Sequence, residues 1–107
     1  MEKTKEMSIV EFCEEFDTVD SEATIICVRY DEEQTFISNI KCVKRNVEFW
    51  AGVEKGVRFF IDGLDINFHG IFLEAVKCFR VKDDVSVDYD IYDGSGKRLF
   101  LVSVLDY

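Results

Sequence analysis

The chain has 107 residues, 22 Asp and Glu against 13 Lys and Arg, and a formal charge of −9. That length suits one domain and is too short for two cores, and the negative balance argues against direct contact with nucleic-acid phosphates. Hydrophobic residues at 48% and aromatics at 14% supply enough apolar surface to offset the entropy of ordering, so the acidity does not imply disorder.

Residues 1–7 are charged and are expected to fray. No apolar stretch of signal-peptide length precedes Glu11, which points to a cytoplasmic protein. Ser8-Ile9-Val10-Glu11 then forms a capping box, in which the Ser8 hydroxyl takes the amide three residues on and Glu11 reaches back to the Ser8 amide. Ile9, Phe12, Cys13 and Phe16 recur at helical spacing while Glu11, Glu14 and Glu15 fall opposite, so the segment reads as an amphipathic helix of roughly three turns. Asp17-Thr18-Val19-Asp20-Ser21 ends it.

From Ala23 the pattern changes to period two with β-branched and aromatic residues. Strands are predicted near 23–30, 35–44, 47–52, 57–61, 64–69, 71–81, 85–92 and 98–105. Asp62-Gly63 is a two-residue hairpin signal, and Lys82-Asp83-Asp84 and Asp93-Gly94-Ser95-Gly96 mark further reversals. Val85, Val87, Tyr89 and Ile91 alternate with Ser86, Asp88, Asp90 and Tyr92, as a strand with one wet face requires. In 70–81, Phe72, Ala75, Val76 and Phe79 would also line a helix. The alternation of Ile71, Leu73, Ala75, Phe79 and Val81, with Lys77 out of phase, favours a strand after a bend at Gly70. The expectation is a single α+β domain over 1–107, with an N-terminal amphipathic helix packed on a curved, mainly antiparallel sheet of six to eight strands. This order resembles the helix-then-sheet layout of cystatin-like domains, by architecture alone.

Cys13, Cys27, Cys42 and Cys78 contain no CxxC pair to begin a zinc site, and each lies in an apolar pattern. They read as reduced, buried thiols. No GxSxG, Walker, GxGxxG or HExxH motif occurs. The single histidine, His69, follows Asp65 and Asn67 on the polar side of a strand and reads as a surface residue rather than a catalytic base. Asp88, Asp90 and Asp93 ahead of Gly94 suggest a calcium loop, but the third acid comes one place late and Leu99 stands where the bidentate Glu belongs. Gly94-Ser95-Gly96 reads as a hairpin loop, since Asp93 beside it would repel a phosphate. Neither metal nor cofactor is expected.

The charge layout is more informative. Residues 1–35 carry a net −8, residues 36–82 a net +3 and residues 83–107 a net −4. Between Lys5 and Arg29 stand seven acids and no base, so compensation for the helix carboxylates would fall to solvent ions or to a partner. Asp83, Asp84, Asp88, Asp90 and Asp93 form a second such run. The partner-binding candidates are therefore Glu11, Glu14, Glu15, Asp17, Asp20, Asp83, Asp84, Asp88, Asp90 and Asp93. The partner they fit is a basic protein surface, such as that of a nucleic-acid-binding protein or nuclease, whose natural ligand they would imitate. In size and charge the chain resembles phage-encoded inhibitors of host defence nucleases, anti-CRISPR proteins among them. The alternatives are a cytosolic small-molecule-binding or oligomerisation domain with a merely solubilising acidic surface, and an unrecognised enzyme. Phe49-Trp50 and Phe59-Phe60 cannot both point inward on a one-sided sheet, so an outward member of either pair is a second candidate interface. Lys41, Lys44 and Arg45 are the only compact basic group and could meet a second subunit's acidic helix in a homodimer.

Overall fold

The computed structural model describes residues 3–19, 24–32, 36–67 and 72–105. Strand β1 (Lys3–Ser8) leads into helix α1 (Ile9–Phe16). Strands β2 (Ile25–Glu32) and β3 (Phe36–Val43) follow, then a 3₁₀ turn at Lys44–Asn46, and then β4 (Val47–Ala51), β5 (Lys55–Ile61) and β6 (Leu64–Asn67). Strands β7 (Ala75–Lys82), β8 (Ser86–Asp93) and β9 (Arg98–Leu105) complete the described chain. The architecture is α+β. The strands form a six-stranded sheet in the order β1-β7-β8-β9-β2-β3 and a three-stranded sheet in the order β4-β5-β6, both antiparallel throughout.

From Lys3 on, the charged amino-terminal segment is a strand rather than a frayed end. Lys3 to Ser8 pair with Lys82 to Lys77 along the edge of the large sheet, and Met7, opposite Cys78, is buried. A single apolar anchor in a charged hexapeptide gives little signal in the sequence, yet it fixes which face of the strand turns inward. The helix is therefore preceded by a strand, and the strands divide between two sheets, which also separates this fold from a simple helix-then-sheet layout.

Helix α1 begins with the capping box. Glu11 N–H donates to Ser8 Oγ at 3.1 Å and Ser8 N–H donates to Glu11 Oε1 at 3.0 Å. Its apolar face, Ile9, Phe12, Cys13 and Phe16, is buried. Those residues and the inward side of β4-β5-β6 cover one face of the large sheet. Phe49 sits at the junction, 5.1 Å from Phe12, 5.0 Å from Phe16 and 5.5 Å from Phe72 between ring centroids. Phe12 also stacks edge-on against Tyr89. Val28, Tyr89, Ile91, Phe100 and Val102 close the core from the large sheet.

At the β5–β6 hairpin both turn residues take positive φ, 52° at Asp62 and 79° at Gly63, as a two-residue turn between right-twisted strands requires. Segment 71–81 differs from expectation in part. Residues 72–74 turn rather than extend, with Phe72 buried, and the strand begins at Ala75. The register against β8 shifts between Ala75 and Lys77. This bulge reverses the alternation: Cys78 faces inward opposite Ile91, and Phe79 faces outward against Tyr92.

Candidate functional site

The acidic helix meets its compensation within the fold. Since β1 is antiparallel to β7 and α1 turns back across the covered face, Glu15 lies over Arg80. Arg80 Nη1 donates to Glu15 Oε1 at 2.6 Å, and the hydroxyl of fully buried Tyr89 donates to Glu15 Oε2 at 2.6 Å. Glu15 keeps only 23% of its side chain exposed and Arg80 27%, so this pair is shielded far more than a surface ion pair. Lys5, which pairs with Arg80 across the strands, also acts on Glu11, whose carboxyl is held below its ordinary range chiefly by the Ser8 backbone amide and then by the Ser8 hydroxyl. Two carboxylates of a run that is base-free in sequence, Glu15 and Glu11, thus meet bases from β7 and β1. This corrects the expectation that Glu15 is an exposed carboxylate left to a partner.

The second run divides in the same way. Asp83 Oδ1 accepts from the amides of Val85 and Ser86 at 2.9 and 2.8 Å, which closes the β7–β8 turn. Asp93 Oδ1 accepts from the amides of Ser95 and Lys97 and from the Ser95 hydroxyl, which closes the β8–β9 loop. These backbone donors favour the ionised form and hold both carboxyls below their usual range. Asp90 is 18% exposed, and its Oδ1 lies 3.0 Å from Arg98 Nε, but the approach is too oblique to make a hydrogen bond. Burial raises its pKa, Arg98 lowers it and Asp88 raises it further.

Glu14, Asp17 and Asp84 remain exposed, and Asp88 is half-buried. Asp20 and His69 lie outside the described residues. With Ser8 opposite Lys77 and Glu15 at Arg80, α1 runs in the same direction as β7. Its carboxy-terminal end therefore reaches the end of the large sheet where β7 turns into β8. Asp17, from the first acidic run, and Asp83-Asp84, from the second, come to that one end. Lys82 closes β7 there, Lys44 Nζ lies 4.9 Å from the centre of the Phe16 ring and Arg45 follows it in the 3₁₀ turn, so these carboxylates stand among bases rather than alone.

The aromatic pairs split one in, one out. Phe49 and Phe59 are buried core residues, which removes them as interface candidates. Trp50 is half-buried, and Phe60 faces outward, 37% exposed, under the Arg58 guanidinium at 4.8 Å. Arg58 in turn pairs with Asp65. The four thiols are free. Burial pushes Cys13 and Cys78 up to about 12 and Cys42 up to about 11, so these three are poor nucleophiles and poor metal ligands near neutral pH. Cys27 and Cys42 are half-buried rather than buried. Among the described residues no three His, Cys, Asp or Glu side chains converge as metal ligands would, and no helix is long and apolar enough to cross a membrane.

Sequence reasoning misses Arg80 and Tyr89 as the donors to Glu15. The alternation in 85–91 already marks Tyr89 as inward, and a buried tyrosine needs a hydroxyl partner. Arg80 is hidden by the bulge, which turns it to the covered face against the simple alternation. No family model, no curated protein and no solved structure matches this chain.

Proposed function

We propose that this chain is a non-catalytic binding module that inhibits a basic, nucleic-acid-handling protein by presenting carboxylates where α1 and the β7–β8 turn meet. What supports the reading is the direction of α1, which runs with β7 and so carries Asp17 toward the end of the large sheet at which Asp83 and Asp84, from the second acidic run, form the β7–β8 turn. The hydrogen bonds that fix Asp83 do not remove its charge. They hold it ionised and fixed in direction, which is what an imitation of a backbone phosphate needs. Glu14, on the exposed side of α1, extends the same surface. An anti-defence inhibitor of phage type, working in the reducing cytoplasm that free thiols suit, is the concrete class this reading names.

The test is competition. A protein captured on the immobilised chain should be released by the nucleic acid it normally binds, and Asp17→Lys with Asp84→Lys should abolish capture while the variant stays folded. Capture that nucleic acid does not disturb and that survives both reversals would overturn the reading.

A further inference from the structure

We draw no further inference here: the strongest candidate, the face of the six-stranded sheet turned away from α1, where Phe79, Val81 and Leu101 point outward half-buried, is an unpartnered apolar face, and nothing in the structure shows what covers it.

Discussion

Glu15 Oε1 lies 2.6 Å from Arg80 Nη1, across 65 positions of sequence. With the Tyr89 hydroxyl on its other oxygen, this carboxylate ties α1 to β7 and β8 at the boundary of the core. Glu15→Gln should therefore destabilise the fold by about 1.5–3 kcal/mol, the range for a charged hydrogen bond lost from a shielded site. Glu15→Lys should cost more, because it sets a second cation against Arg80. Glu14→Lys, one position earlier and exposed, should stay within about 0.5 kcal/mol. Urea denaturation of the three variants checks the order.

The two aromatic pairs make a second contrast. Phe49→Ala leaves a cavity between Phe12, Phe16 and Phe72 and should cost about 3–5 kcal/mol. Phe60→Ala removes an outward ring and a contact with Arg58, which should cost less than about 1 kcal/mol. Thermal unfolding distinguishes them, and equal losses would contradict the assigned facing of β4 and β5.

Much of this architecture is legible in the residues. The capping box locates α1 because its two hydrogen bonds are local, and the alternation in β8 locates its inward face because one side of that strand is covered. The strand pairing of residues 3–8 and the reversed phase after Ala75 are not legible. Met7 alone anchors β1, and the bulge that puts Cys78 inward is a property of the pairing with β8 rather than of β7 itself. The acidic site is half legible for the same reason. Net charge by segment counts carboxylates correctly, but the neutralising partner of Glu15 arrives from a strand far along the chain.

Acid titration separates structural carboxylates from the others. Glu11, Asp83 and Asp93 have folded pKa values below their ordinary ones, so the stability they contribute is present above the ordinary carboxylate range and is lost as pH falls through the lowered values. Asp93→Ala should flatten that acid limb. Asp90 has the opposite sign: its pKa is raised, so its contribution is full below the ordinary value and is lost as pH rises through the raised one. Asp90→Asn should then raise the melting temperature at pH 7, with the gain shrinking toward pH 3. A melting temperature that drops at pH 7 would mean that the Arg98 contact outweighs the burial of Asp90.

The most direct measurement of the proposed function is the affinity for a purified captured partner between about 50 and 200 mM salt, for the native chain, for Glu14→Lys with Asp17→Lys, and for Asp84→Lys. Binding should weaken as salt rises, both reversals should slow association and lower affinity by more than neutral changes at the same positions, and the urea midpoint should hold. An affinity that ignores both salt and the reversals would show that these carboxylates only keep the protein in solution and that its contact surface lies elsewhere.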